Sequence, residues 1–197
     1  MADLFRIAFI EMRCLEETSE SSASDEPYAV FFIADLHNSV PKAVVHRTRF
    51  FENTDKGDLD KQWIRIWGPD QKPAVISDPD KVLILAALME NDESDPDAVA
   101  TAARAGMFAN LLSFASAGVG RSKMVSGLIA SFKGALELGK APGYPNSDDL
   151  LGAPQELRIT AADLAAAKLS TQRRNLTFSG DGGRYRLGFD IAAGPGT

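Results

Sequence analysis

A dense run of carboxylates follows an apolar stretch in the segment "KVLILAALMENDESDPDAVA", residues 81–100. Five acids fall within eight residues there, and no Lys or Arg lies between Lys81 and Arg104. Two carboxylates about 4 Å apart repel each other by about 4 kcal/mol at an effective dielectric of about 20. These side chains therefore either spread into water or surround a positive charge. The five acids are Glu90, Asp92, Glu93, Asp95 and Asp97.

A second acidic stretch has the same character, because the chain contains no Lys or Arg from Cys14 to Pro41. Two acidic loops at strand ends can meet at one end of a β-sandwich. Calcium takes roughly six to eight oxygen ligands in a tolerant geometry, whereas magnesium needs a stricter octahedron and zinc prefers nitrogen and sulfur. Among these metals the pattern favours calcium, but on composition alone acidic loops that only keep the protein soluble are the leading interpretation. The acids of this stretch are Glu16, Glu17, Glu20, Asp25, Glu26 and Asp35.

The segments that must position these loops have the patterns of β-strands. Alternating or short apolar runs, rich in aromatic and β-branched residues, are separated by polar turns. The segment "AADLAAAKL" (161–169) is typical of a short helix or turn. Strands at such spacing predict a mainly β protein, a two-sheet antiparallel β-sandwich. The predicted strands cover residues 4–15, 27–36, 42–51, 62–68, 81–89, 151–160, 175–180 and 184–191.

A helical pair interrupts these strands over about residues 96–140. Asp95 followed by Pro96 indicates a helix start, with an N-cap carboxylate and then proline at the first helical position. Asp97 suits the positive end of the helix dipole. For Asp95 and Asp97 these local roles compete with metal ligation. Apolar residues at helical spacing are Ala103, Met107, Leu111 and Ala115, and then Met124, Leu128, Ile129, Phe132 and Leu136.

Three motifs in order resemble the C2-like calcium- and lipid-binding family. "SASDEPYAVFFIADL" resembles the family's first metal loop, Ser-Asp-Pro-Tyr followed by a strand, with Glu26 inserted. "VLILAALMENDESD" resembles its apolar strand leading into Asp-x-Asp, and "SDDLLGAPQELRIT" resembles its Asp-Asp-x-x-Gly pattern. The resemblance covers about residues 4–191 apart from the helical segment, which falls inside the second acidic loop. The matching residues are Ser24, Asp25, Pro27, Tyr28, Glu90, Asp92, Asp148, Asp149 and Gly152.

The resemblance implies one C2-like domain over residues 1–197 that binds Ca²⁺. For the family's earlier loop-one aspartate, Glu17 or Glu20 would stand in. The implied function is calcium-dependent association with an anionic phospholipid membrane or a protein partner, without catalysis. The alternative is a structural or protein-interaction β-sandwich that uses the helical insertion and has no functional metal. The implied metal ligands are Glu17, Asp25, Glu26, Glu90, Asp92, Asp148 and Asp149.

The helical insertion offers two interpretations. Its apolar stripes either pack on the sandwich or on each other, or they dock on a membrane or a partner through Leu128 and Phe132. Few Lys or Arg accompany these stripes, whereas helices that lie in a membrane surface usually carry more of them. An enlarged loop at this end of a C2-like domain would nevertheless be well placed for lipid contact.

Composition and motifs exclude several classes of protein. The net charge of −6 argues against a nucleic-acid binder. A single cysteine, Cys14, excludes an intramolecular disulfide, and two histidines leave little for a zinc site. "AGVGRSK" does not match a phosphate loop, and no G-x-S-x-G is present. No signal peptide or membrane span is evident, which predicts a cytoplasmic protein by default, with peripheral membrane binding or non-standard export still compatible.

Overall fold

The structure, a computed structural model, describes residues 3–18, 25–67, 74–91, 95–138, 149–180 and 182–194. Six strands precede a pair of helices, and three more strands and one further helix follow, with a short 3-10 turn at Pro79–Lys81 before the sixth strand. The strands are β1 (Leu4–Glu16), β2 (Pro27–Asp35), β3 (Lys42–Arg47), β4 (Leu59–Arg65), β5 (Ala74–Val75), β6 (Val82–Glu90), β7 (Gln155–Glu156), β8 (Gln172–Gly180) and β9 (Gly183–Ala193). The helices are α1 (Pro96–Ser116), α2 (Arg121–Leu138) and α3 (Ala161–Ala167).

Two antiparallel sheets form the body of the molecule. The first sheet has the strand order β4-β1-β9-β8, with β5 paired to the start of β1. The second sheet has the order β3-β2-β6-β7. All the pairings are antiparallel. The prediction of a mainly β protein with two antiparallel sheets is confirmed at this level.

The inner faces of the two sheets share one apolar core. Phe9 from β1 lies 5.5 Å from Phe31 of β2 between ring centroids, and Phe189 of β9 lies 5.9 Å from Phe31. Such tilted and edge-on pairs are the arrangements that aromatic quadrupoles favour. Because these contacts join both sheets, the sheets pack face to face.

A second core lies on the outer face of the second sheet, beneath α1 and α2. Strand β2 sends Val30 and Phe32 toward the helices, while Phe31 and Ile33 point into the first core. Strand β6 is buried along all nine of its residues. A strand covered on both faces has no polar side, which explains why "VLILAALM" shows no alternation.

The helical layer is held down by both packing and polar contacts. Arg121 at the start of α2 donates to the carbonyl oxygens of Asp80 (2.9 Å) and Val82 (3.1 Å) and pairs with Glu156. A Cβ at Gly127 would lie 2.3 Å from the ring of Phe114, so the glycine lets α1 and α2 approach closely. The helices are thus tied to each other and to the second sheet.

Several element boundaries differ from the sequence prediction. Strand β4 begins at Leu59, within a segment that composition assigned to a turn, because β1 continues far enough to pair with it. Strand β3 ends at Arg47, although the following chain still buries Phe51 in the first core. The strand predicted over 151–160 is only Gln155–Glu156.

A glycine turn explains the shortening of this last strand. Gly152 has φ of +92°, and a Cβ there would lie 2.7 Å from the carbonyl oxygen of Ser179. The chain therefore crosses tightly from the second sheet onto β8 before it can pair. Pro154 follows, and proline cannot donate to a strand ladder.

Candidate functional site

Three separate chain segments meet at one end of the second sheet, where the sequence predicts metal-binding loops. The amide of Asn91 donates to the carbonyl of Glu26 at 3.1 Å, and the amide of Glu90 donates to the carbonyl of Asp149 at 2.8 Å. We call Glu26, Glu90, Asn91 and Asp149 the acidic edge. Antiparallel pairing of β2 with β6 creates it, because the start of β2 lies beside the end of β6.

One side-chain contact joins two residues of the acidic edge. The Asn91 side chain donates through Nδ2 to Glu26 Oε2 at 3.2 Å. Glu90 is buried, with 3% of its surface exposed. Asn91 Oδ1 is buried and accepts no hydrogen bond from the residues that the structure describes. A buried carbonyl-type oxygen without a donor is unusual in proteins, and it is a ligand type that calcium accepts.

Asp25 has a different role from the metal ligand implied by the resemblance. Its carboxylate is 3% exposed and accepts hydrogen bonds from the Thr18 amide (2.9 Å), the Thr18 hydroxyl (2.6 Å) and the Tyr185 hydroxyl. These donors come from the ends of β1 and of β9. Asp25 therefore joins the β1–β2 loop to the first sheet, and its oxygens are already occupied.

The environment of Asp25 also shifts two neighbouring groups. Burial, reinforced by the hydrogen bond to Asp25, raises the pKa of Tyr185 above its usual range. Burial raises the pKa of the Cys14 thiol to about 11, although a hydrogen bond with Tyr185 opposes the shift. Both groups stay neutral at pH 7. The buried thiol lies within strand β1.

Glu17 is likewise engaged by the protein. Its Oε1 accepts a hydrogen bond from the amide of Lys56 at 2.6 Å. This contact links the end of β1 to the turn before β4. No local pattern predicts this contact, because Lys56 lies 39 residues along the chain from Glu17.

A positive side chain does lie among the acids that begin the helical insertion. Arg47 from the end of β3 binds Asp97 through Nε at 2.7 Å. The hydrogen bond to Arg47 holds the pKa of Asp97 below its usual range. Asp95 is the N-cap of α1 and accepts from the Asp97 amide at 3.0 Å, which agrees with the helix-start interpretation. The cation that the local sequence lacks is supplied by a residue 50 positions away.

The remaining predicted ligands, Asp92 and Asp148, lie outside the described residues. They adjoin Asn91 and Asp149 in sequence, at the acidic edge. Among the residues that the structure describes, no group of three His, Cys, Asp or Glu is placed to hold a metal ion. The structure thus brings Glu26, Glu90 and Asp149 to one edge and uses Glu17 and Asp25 in other contacts.

Leu128 and Phe132 do not form an exposed docking surface. Both are fully buried in the second core, and the Phe132 ring lies 6.4 Å from that of Phe32 between centroids. The apolar stripe of α2 packs on the sheet, which was the alternative interpretation. This placement corrects the expectation that these two side chains contact lipid, because in the folded arrangement they have no access to it.

Helix α1 is long and apolar enough to cross a membrane by length and composition. One of its faces is nevertheless buried against the second sheet, through Val99, Ala103, Met107 and Leu111. The rest of the helix is less covered, since 22% of its most apolar 18-residue stretch is buried.

No protein-family model matches the chain, and no curated protein matches it significantly.

Proposed function

We propose that the protein is a calcium-binding, C2-like module that associates with an anionic membrane surface or a protein partner when calcium is bound. The observation that carries this proposal is the acidic edge. Three chain segments meet there through backbone hydrogen bonds, and the buried Asn91 Oδ1 accepts no bond from the described residues. Oxygen atoms from several loops at one end of a sandwich suit the tolerant coordination of calcium.

The electrostatics of the edge support the same proposal. Glu26, Glu90 and Asp149 come within one region, and Asp92 and Asp148 adjoin it in sequence. Arg47 pairs with Asp97 at the start of α1. Carboxylates that lie close to one another repel. A divalent cation would lower the mutual repulsion of these carboxylates.

Thermal unfolding with and without calcium tests the proposal. Binding to the folded state stabilises it by about 2.7 kcal/mol when free calcium is a hundredfold above Kd. We expect the melting temperature in millimolar calcium to exceed that in chelator, and a calcium titration to release or absorb heat. Superimposable melting curves without titration heat would refute calcium binding.

Matched variants locate the ion. Asp92→Asn and Glu26→Gln should each reduce the stabilisation by calcium, because Glu26 belongs to the acidic edge and Asp92 follows Asn91 in sequence. Asp80→Asn removes the same charge at an exposed position just before β6, at the opposite end of this strand from Glu90, and should leave the stabilisation intact. Equal losses in all three variants would indicate a response to net charge instead of a site. Co-sedimentation with phosphatidylserine vesicles, in calcium and in chelator, tests whether the protein binds an anionic membrane only when calcium is present.

A metal-free protein-interaction domain is the second candidate function. One observation favours it: α1 exposes large apolar side chains on the face that does not pack on the sheet. Phe108 is 41% exposed and Leu112 is 38% exposed. Partner binding that persists in chelator would select this candidate over the first.

A further inference from the structure

A groove runs along one edge of the second sheet, between β3 and α1. Strand β3 is the last strand of this sheet, and no described strand pairs with its other side. Residues 41–45 form one wall, and Thr101, Arg104, Ala105 and Phe108 of α1 form the other. The groove has a volume of about 740 Å³. We call it the α1/β3 groove.

The open side of β3 presents backbone hydrogen-bonding groups. The Thr48 amide donates to the Ala29 carbonyl at 2.9 Å, so even-numbered residues of β3 bond to β2. Successive residues of an antiparallel strand bond to opposite neighbours. The amides and carbonyls of Ala43 and Val45 therefore point away from β2, toward the open edge. Such an edge is a template for an added strand.

The floor and the helical wall of the groove are apolar. The side chains of Ala43 and Val45 face the helical layer, and Phe108 stands at the wall of the groove. A second hollow of about 390 Å³ continues past Pro41, beside Leu112 and Val40, which is 67% exposed. The groove can thus accept the alternate side chains of an extended chain.

The charge of the groove selects the partner. Its charged lining residues are Lys42 and Arg104, and no carboxylate lines it. Neither cation has an ion-pair partner within the part of the chain that the structure describes. In a protein with a net charge of −6, this is a locally positive surface. Complementary charge fixes which partners associate and in which register.

We propose that the α1/β3 groove binds an extended acidic peptide segment of a partner protein, which adds to β3 as a further strand of the second sheet. Main-chain hydrogen bonds to Ala43 and Val45 supply affinity, and apolar side chains of the peptide enter the groove. Peptide carboxylates on the side that faces away from α1 pair with Lys42, and one carboxylate on the side that faces α1 pairs with Arg104. Since β3 has six residues, the bound segment has about six residues, at about 3.3 Å per residue.

This proposal deepens the second candidate function and does not require calcium. Binding is therefore measured in chelator and again in millimolar calcium. Failure of the calcium experiments leaves the peptide result unaffected, and failure of peptide binding leaves the acidic edge unaffected.

The test uses a fluorescein-labelled hexapeptide, Glu-Leu-Glu-Val-Glu-Glu, titrated with the full chain; Leu, Val and the last Glu share the face that enters the groove. We expect saturable binding by fluorescence anisotropy and loss of amide exchange at Ala43 and Val45. A peptide with Lys in place of Glu should bind about tenfold more weakly or less, because the charge match is reversed. A peptide with Pro in place of Val should also lose affinity, because it lacks one ladder donor.

Two charge reversals on the helical layer provide the control. Arg104→Glu should weaken binding of the acidic peptide by about tenfold or more. Lys123→Glu changes the net charge equally at an exposed position of α2 outside the groove and should change affinity by less than about twofold. Phe108→Ala should weaken binding without reversing charge.

Several outcomes would overturn the proposal. These are no binding at about millimolar peptide, equal binding of the Glu and Lys peptides, or equal effects of Arg104→Glu and Lys123→Glu. Analytical ultracentrifugation tests the competing occupant, a second copy of the chain paired through β3. A dimer that Arg104→Glu dissociates, and that the peptide does not displace, would also overturn it.

Discussion

The outer faces of the two sheets have opposite environments. The outer face of the second sheet is covered by α1 and α2 and is apolar along β2 and β6. The outer face of the first sheet meets solvent and carries arginines such as Arg6, Arg173 and Arg184. The contrast shows that the apolar pattern of a strand depends on how many of its faces are buried. Alternation indicates one buried face, and an unbroken apolar run indicates two.

The largest expected loss of stability comes from placing charges on the buried face of α2. Leu128→Asp with Phe132→Asp would place two carboxylates in the second core, where an unpaired charge is strongly disfavoured. We expect a loss of more than about 4 kcal/mol in the free energy of unfolding, with detachment of the helices or global unfolding. Urea unfolding followed by circular dichroism measures it.

The control for this variant is also on α2. Ser126→Asp with Ala130→Asp places the same charges at exposed positions and should cost only about 1 kcal/mol of helix propensity. Similar losses in both double variants would show that the helical layer contributes little to stability. Burial of the outer face of the second sheet by the helices would then not be a main source of stability.

The next effect compares one residue on each outer face. Leu85→Ala on β6 removes buried side-chain volume beneath the helices and should cost about 2–5 kcal/mol. Asn175→Ala on the exposed side of β8 should stay within about 0.5 kcal/mol of the parent. Chemical denaturation of both variants gives the difference. Losses of similar size would mean that the outer face of β6 is not buried as described.

The sequence predicted the buried strand and the apolar helix that cover each other. It did not predict the order of the strands in the sheet. "VLILAALM" identified a buried strand, and the spacing of Met107 and Leu111 identified a helix with one apolar stripe. Two apolar surfaces can bury each other, so their packing follows from these patterns. Nothing local in "KAVVHR" shows that β3 is the edge strand of its sheet. An edge is decided by which strands pair elsewhere in the chain, and a single sequence does not encode that choice locally.

The sequence predicted that the start of β2 and the end of β6 lie side by side, but it did not predict the contacts of each acidic side chain. Loops at the start of β2 and the end of β6 meet because adjacent antiparallel strands must bring those ends together. The role of Asp25 depends on Tyr185, which lies 160 residues away. Partners at such separation leave no local pattern, so a buried structural carboxylate had the same appearance as a metal ligand.

An intermediate effect is expected inside the first core. Asp25→Asn leaves a side chain that cannot accept all the hydrogen bonds from Thr18 and Tyr185, and should cost about 1–3 kcal/mol. Because the Asp25 carboxylate is occupied by the protein, the stabilisation by calcium should be unchanged. Melts of this variant in calcium and in chelator measure both quantities. Loss of the calcium increment would identify Asp25 as a metal ligand after all.

The same cluster predicts a pH dependence. The folded-state pKa values of Cys14 and Tyr185 lie above their unfolded values. Their contribution to stability is therefore complete below the unfolded pKa and is lost as pH rises. Stability should fall from about pH 9 toward pH 11, where the unfolded thiol ionises first. Cys14→Ala should flatten the start of this decline, and an identical alkaline profile in the variant would contradict the assignment.

The smallest effect is expected at the uncovered face, where a matched arginine completes the comparison. Arg173 binds Asp190 (2.8 Å) and Glu11 (2.9 Å) on the solvent side of the first sheet. Because exposed ion pairs are screened by water and salt, Arg173→Ala should cost less than about 1 kcal/mol and lose its effect at high salt.

Arg121, at the start of α2, also has an acidic partner but is much less exposed. Arg121→Ala should cost about 1–3 kcal/mol with little salt dependence, because it leaves the part-buried Val82 carbonyl and the part-buried Glu156 without this donor. Equal losses with equal salt dependence, measured by urea unfolding at low and high salt, would show that cover by the helices does not alter the strength of these contacts.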